Sequence, residues 1–288
     1  SQVFIEASPL NRVLESFAPG DSWVGTSGQS TASNRRSIKT EYLINTVADS
    51  VRVWVASATV STAPATSAIY PAGDLYKTVM IEEHQKQLVE YKDKEGKVVL
   101  KKEQLWTSPT TGHDGWLCTY YVYDEEGKLR FVLQPKAVET MLYAQSWTIS
   151  NTLRDELCFY YGYDTRNRMT IKKVPGAGEV YMVYDQRDRL VMTQDANLRT
   201  SSKWMVMLYD ELNRSVQTGL VDNSQIGSKS FATHLTDGNA SSAYPFAISS
   251  PPSSGWELLA ETGYDAYSTL PSGAPSGSID NTNINSTN

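Results

Sequence analysis

Six of the sixteen aspartates in this chain have Gly, Asn or Asp three positions later: Asp93, Asp124, Asp164, Asp185, Asp210 and Asp280. Five of those six carry a basic residue at the fourth position, namely Lys97, Lys128, Arg168, Arg189 and Arg214. Among the other ten aspartates only Asp195, with Arg199, does so. Lys and Arg together number 26 in 288 residues, so chance supplies fewer than one match in six. A short unit is therefore repeated along the chain.

The unit reads as a three-residue β-hairpin loop, a type I turn followed by one left-handed residue. Asp accepts hydrogen bonds at the first position, and Gly96, Gly127, Asn167, Asp188 and Asn213 tolerate positive φ at the last. That register pairs each Asp with its basic residue across the neck, position −1 with +5, and position −3 with +7. It sets Tyr123 against Leu129, Tyr163 against Met169, Tyr184 against Leu190 and Tyr209 against Ser215. Further out it sets Tyr121 against Phe131, Tyr161 against Ile171, Met182 against Met192 and Met207 against Gln217. Such pairs stabilise a ribbon by roughly 0.2–1 kcal/mol each. Ser8-Pro-Leu-Asn11-Arg12 reads as a decayed copy with Ser in the Asp role. The steps between the five ordered aspartates are 31, 40, 21 and 25 residues, which suits a curved strip with variable loops better than a tight solenoid.

Composition agrees with an all-β chain: seventeen Tyr and seven Trp stand among many Val, Thr and Ser. Only Val138–Leu142 and Thr152–Leu157 suggest short helical turns, and neither holds a 3.6-residue period. The net charge of −6 argues against a nucleic-acid-binding face. No apolar run approaches the ~20 residues that span a bilayer. Two cysteines exclude a disulfide scaffold, and none of the common catalytic or nucleotide-binding fingerprints occurs. The chain begins at Ser1 without a basic or apolar leader, which reads as a mature or excised piece of something longer.

Tyr121-Val-Tyr123-Asp124-Glu-Glu-Gly127-Lys128-Leu129 resembles a YD repeat of RHS-repeat proteins. Tyr161-Gly-Tyr163-Asp164-Thr-Arg-Asn167-Arg168-Met169 and Tyr184-Asp185-Gln-Arg-Asp188-Arg189-Leu190 match as well. Glu6–Val13 with Ala18-Pro-Gly20, Tyr70–Lys77, Lys92–Leu100 and Leu259–Asp265 are similar to blocks of RHS-type proteins from Bacteroidota, and together they span most of residues 1–270. The resemblance implies stacked hairpins in a spiralling β-strip, part of a hollow shell around a C-terminal effector. It implies as partners the rest of the same chain, that effector, and secretion-system or cell-surface components, with export to the cell surface or beyond. No cofactor is implied. The family's Asp-Pro-x-Gly-Leu self-cleavage signature is absent from these residues.

Other residues have plainer readings. Cys118 and Cys158 each lie six positions before a motif Asp, and the expectation is two buried free thiols rather than a bridge. His84 beside Glu83 reads as a solvated strand end, since neighbours on a strand face opposite ways. His113 falls in a loop signal and His234 in a polar, linker-like stretch. The repeated Asp and basic residues serve turns, because an active site is made once, and a non-enzymatic chain is expected. The alternative function is a carbohydrate- or surface-binding module of an adhesin, using Trp23, Trp54, Trp106, Trp116 and Trp147.

Three regions are expected. Residues 1–67 form an N-terminal β segment and 68–220 the YD-repeat strip. Residues 221–288 are loop-rich, with polar loops at 223–230, 236–242 and 249–255, one ordered block at 256–267, and a flexible tail from 271. Open strip edges predict a poorly soluble or oligomeric fragment.

Overall fold

The structure, a computed structural model, describes residues 3–17 and 37–264. Trp23, the Ala18-Pro-Gly20 match, Asp280, the end of the 256–267 block and the tail lie outside the described residues. The chain is all-β with antiparallel pairing, and it divides into two compact units, Ser1–Glu179 and Val180–Asn288. These bounds differ from the composition shifts near 67 and 220, because compactness follows strand pairing rather than loop polarity.

The first unit contains β1 (Val3–Ile5), β2 (Val13–Ser16), β3 (Ile38–Ile44), β6 (Tyr76–Ile81), β7 (Gln87–Lys92), β8 (Val98–Gln104), β9 (Trp116–Tyr123), β10 (Leu129–Leu133), β11 (Cys158–Tyr163) and β12 (Met169–Lys173), side by side in that order. A separate ribbon of β4 (Arg52–Val55) and β5 (Ala65–Ile69) is inserted between β3 and β6. Helices α1 (Pro135–Tyr143) and α2 (Asn151–Leu157) are inserted between β10 and β11. These inserts supply Val51, Trp54, Ala137, Val138, Met141 and Leu153 to one core with Tyr91, Leu100, Tyr120, Phe131, Cys158 and Tyr160 of the strands. The 40-residue step between Asp124 and Asp164 is thus long because it carries the cover for the sheet's apolar face.

The second unit pairs β13 (Val180–Tyr184), β14 (Leu190–Gln194), β15 (Lys203–Tyr209), β16 (Ser215–Asp222) and β17 (Trp256–Glu261) in sequence order, with a short α3 (Ala196–Thr200) after β14. Its cover is α4 (Phe231–Ala240), where the sequence suggested linker and loop. Ser230 caps α4 by accepting from the Thr233 N–H, and Gly238 lets the helix approach, since a Cβ there would meet the Tyr184 carbonyl. Likewise residues 223–226 form a 3-10 turn rather than open loop.

The hairpin register needs one correction. Tyr123, Tyr163, Tyr184 and Tyr209 do pair with Leu129, Met169, Leu190 and Ser215. Beyond that pair each ladder skips a residue, so Tyr121 meets Val132, Tyr161 meets Lys172, Met182 meets Thr193 and Met207 meets Thr218. A β-bulge at position +6 (Val99, Arg130, Thr170, Val191, Val216) shifts the register in every copy. It also turns +6 and +7 inward together where both are buried, as with Val99–Leu100 and Val191–Met192. The buried face is accordingly that of Tyr120, Val122 and Tyr160, while Tyr121, Tyr123, Tyr161 and Tyr163 are half-buried on the other.

Candidate functional site

Each motif turn is built the same way. Gly96, Gly127, Asn167, Asp188 and Asn213 have φ between 62° and 83°. Their N–H groups donate to the carbonyl of the turn Asp at 2.9–3.1 Å. The carboxylate of Asp93, Asp124, Asp164, Asp185 or Asp210 then accepts the N–H of the basic residue four positions on, at 2.8–3.0 Å. The Asp therefore replaces a backbone acceptor that the left-handed residue has used. The turn Glu82–Lys86 has the same backbone hydrogen bonds with Gln85 at φ 65°, a copy hidden from the sequence pattern because Glu stands for Asp and Gln for Gly. In the N-terminal copy Ser8 takes the Asp position of the turn, its carbonyl accepting the Asn11 N–H at 3.1 Å and its Oγ the Leu10 N–H at 3.2 Å, while the Arg12 guanidinium is bound by Glu6 at 2.7–2.8 Å.

The side chain at +4 depends on its chemistry. Arg168, Arg189 and Arg214 donate from Nε to their own Asp at 2.7–2.8 Å. Asp185 is fully buried, so breaking its pair with Arg189 would leave an uncompensated buried charge. Burial opposes ionisation of Asp164, but the Arg168 side chain and the N–H groups of Arg168 and Arg166 outweigh it and hold the carboxyl below its usual range. Lys97 and Lys128 do not reach their Asp in this way.

A second feature links one hairpin to the next. Tyr123 Oη donates to the Val98 carbonyl at 3.2 Å, Tyr163 to Leu129 at 3.1 Å, Tyr209 to Leu190 at 2.8 Å and Tyr264 to Ser215 at 3.0 Å. The acceptor is always the fifth residue after the preceding turn Asp. The same ring lies beneath the preceding turn's basic residue: Lys97 is 5.6 Å from the Tyr123 centroid, Lys128 5.8 Å from Tyr163, Arg189 4.9 Å from Tyr209 and Arg214 4.5 Å from Tyr264. Tyr42 repeats both contacts with Val13 and Arg12. The end of the Lys97 side chain lies against Gly127, so a Cβ there would push that flexible chain aside.

Beneath the β4–β5 ribbon lies a closed polar cluster. The carboxylate of Asp49, fully buried, accepts from Lys77 at 2.7 Å and Tyr91 at 2.8 Å. Burial opposes its ionisation, yet these bonds and the Thr46 N–H hold it ionised. Lys102 is buried and donates to the carbonyls of Asp49, Thr111 and Gly112, with its pKa lowered to about 8 by burial. His113 lies in the loop that its sequence indicated and is buried there, hydrogen-bonded through Nε2 to Tyr120 Oη at 2.6 Å, and burial pushes its pKa down to about 3. His234 is fully enclosed between Tyr244 Oη and Asn223 Oδ1, so it is a core residue of α4, not part of a linker. His84 is exposed in a turn.

Cys118 and Cys158 are free and buried, and burial raises both thiols to about 12. Trp54 is core, Trp147 packs its ring against Trp54, Tyr120 and His113, and Trp116 donates to the Thr110 carbonyl, whereas Trp106 is exposed. Among the described residues no three His, Cys, Asp or Glu side chains converge as a metal site, and no helix is long and apolar enough to cross a membrane.

No family model matches the chain, and no curated protein matches it. Among solved structures it is similar to chains in the crystal structures of TcdB2-TccC3-TEV and TcdB2-TccC3-Cdc42, at 14% identity and TM-scores of 0.40 and 0.41. A chain in the structure of the Photorhabdus luminescens Tc holotoxin pore is similar at 15% identity and a TM-score of 0.40. Each likeness covers 76% of this chain and 10% of the other, so the present sequence spans about a tenth of those chains.

Proposed function

We propose that this chain is a non-enzymatic wall segment of a larger exported protein of the RHS/YD-repeat type from Bacteroidota. In that protein a β-strip encloses a C-terminal effector for delivery to other cells. The tyrosine contact between successive hairpins carries the reading. It has one geometry at every described occurrence, although the loops between copies differ widely in length. A sheet fastened this way extends hairpin by hairpin without a defined end, which suits a wall and does not suit a site made once. The covering inserts fit the same role, because they close the strip's apolar face without interrupting its ladder. The partners are the remainder of its own chain and the effector, with secretion-system or cell-surface components met on export; no cofactor takes part. Cryo-electron microscopy of the intact parent protein from its secretion fraction tests this. A closed shell with these residues in its wall and density inside is the expected result. An open sheet enclosing nothing overturns it.

A further inference from the structure

We infer that the cleft beside the free edge of β4 receives an extended, basic peptide segment of a partner protein, which adds a strand to the β4–β5 ribbon. The ribbon is a sheet of two strands, so β4 is paired on one side only, by β5. Residues 54–58 line a cleft of about 750 Å³ in unbroken succession, and no residue of β5 takes part. Side chains of a strand alternate between its two faces, so an unbroken run borders a cleft with its backbone edge rather than with one face. Among the described residues, the backbone N–H and C=O groups of Ala56, Ser57 and Ala58, which continue from β4, have no protein partner. An edge with unspent donors and acceptors is what an extended peptide pairs with. Five residues of edge offer about 17 Å of ladder.

The charge of the lining selects the peptide. The rest of the cleft comes from the β9–β10 and β11–β12 hairpins, with the carboxylates of Asp124, Glu125, Glu126 and Asp164 against the basic groups of Lys128 and Arg130. Lys128 is paired with Glu126 and Arg130 lies 3.7 Å from Asp124, whereas Glu125 is exposed and has no ion pair among the described residues. An adjoining cleft of about 330 Å³ shares Trp54, Tyr123, Asp124 and Glu125, and the two linings together hold six carboxylates against four basic groups. Like charge repels an acidic occupant from this surface, and lysine or arginine on the peptide neutralises it. The lining is also apolar, through Val55, which is 64% exposed, and the rings of Tyr123 and Tyr163. The occupant therefore carries apolar residues between its basic ones. This inference goes beyond the container reading and does not rest on it.

The test is fluorescence anisotropy of the whole chain with a labelled, end-blocked Lys-Val-Lys-Val-Lys-Val peptide, alongside Glu-Val-Glu-Val-Glu-Val. Only the basic peptide should bind, and more weakly as salt is raised. Strand addition uses the amides of alternate peptide residues, so methylating one alternate set of backbone nitrogens should weaken binding roughly tenfold or more, while methylating the other set should change it little. Bound peptide should also slow amide exchange at Ala56, Ser57 and Ala58. Glu125→Gln combined with Glu126→Gln, both exposed and therefore compatible with the fold, should weaken binding about fivefold. No binding of the basic peptide, equal binding of the acidic one, or equal effects of the two methylated sets overturns the inference. Unchanged exchange at all three amides under saturating peptide overturns it as well.

Discussion

Replacing Tyr209 with Phe tests the contact between hairpins at its shortest hydrogen bond. The β14–β15 ladder ends at the Met192–Val206 pair, so Leu190, nearer the turn, has no ladder partner in β15. Its carbonyl instead accepts Tyr209 Oη at 2.8 Å. Phe keeps the ring beneath Arg189, 4.9 Å from its centroid, and removes only the hydroxyl. A net hydrogen bond is worth about 0.5–1.5 kcal/mol, and the half-buried carbonyl is left without its donor, so Tyr209→Phe should cost about 1 kcal/mol. Tyr209→Ala also forfeits the cation–π contact, about 0.5–1 kcal/mol, and a half-buried ring, for a total of roughly 2–3 kcal/mol. Urea unfolding followed by circular dichroism gives the two differences. Amide exchange at Met192 and Thr193 reports whether the loss is local to the ladder end. If Tyr209→Phe matches the unmodified chain in both measurements, the hydroxyl is a bystander and the contact is only a packing of rings.

Asn167 sits at φ 65°, so Asn167→Val should lower stability by roughly 1–2 kcal/mol in thermal melts, while Asn167→Gly should be close to neutral. Burial pushes the His234 pKa down to about 4, below the unfolded value near 6.5, so the unfolded chain takes up the proton first. Stability of the second unit should therefore be intact above about pH 6.5 and decline as pH falls toward 4, by at most about 3 kcal/mol. His234→Gln should flatten that decline in denaturation midpoints taken between pH 7 and 5, and an equal slope in the variant would refute the assignment. With both thiols raised to about 12, iodoacetamide at neutral pH should leave Cys118 and Cys158 unmodified until guanidinium unfolds the chain, as mass spectrometry would show.

The turns were legible because their chemistry is local: a left-handed residue demands Gly, Asn or Asp, and the carboxylate four residues before Lys97 or Arg189 has one backbone N–H to satisfy. The bulge was not, since Val99, Arg130, Thr170, Val191 and Val216 share no property that marks them. The covering elements were half legible. α1 and α2 announced themselves as short apolar turns, whereas α4 hid in a polar stretch whose one sign was the Ser230 cap. His234 was misread for a related reason: what encloses it is supplied by Tyr244, as Tyr120 encloses His113 in its loop, and only the folded chain reveals those positions.

The motif tyrosine and its basic residue are both visible in the sequence, but they do not belong to the same hairpin contact. Tyr209 completes the turn of Asp185 and Arg189, while Arg214 waits for Tyr264. Each copy therefore offers one half of two joints, which explains why Tyr, Asp and the basic residue recur as a set while the residues between copies vary. It also explains why Lys and Arg both serve. Arg189 and Arg214 present a planar fork that reaches their own Asp while lying over the next ring. Lys97 and Lys128 have one charged point and place it near the next ring, leaving the turn Asp to bind the backbone N–H without its own basic side chain, and Asp124 instead lies 3.7 Å from Arg130 Nη1. The turn holds in either case because the backbone N–H is bound in both, so substitution at this position adjusts how tightly a turn is tied to its successor rather than whether the turn forms.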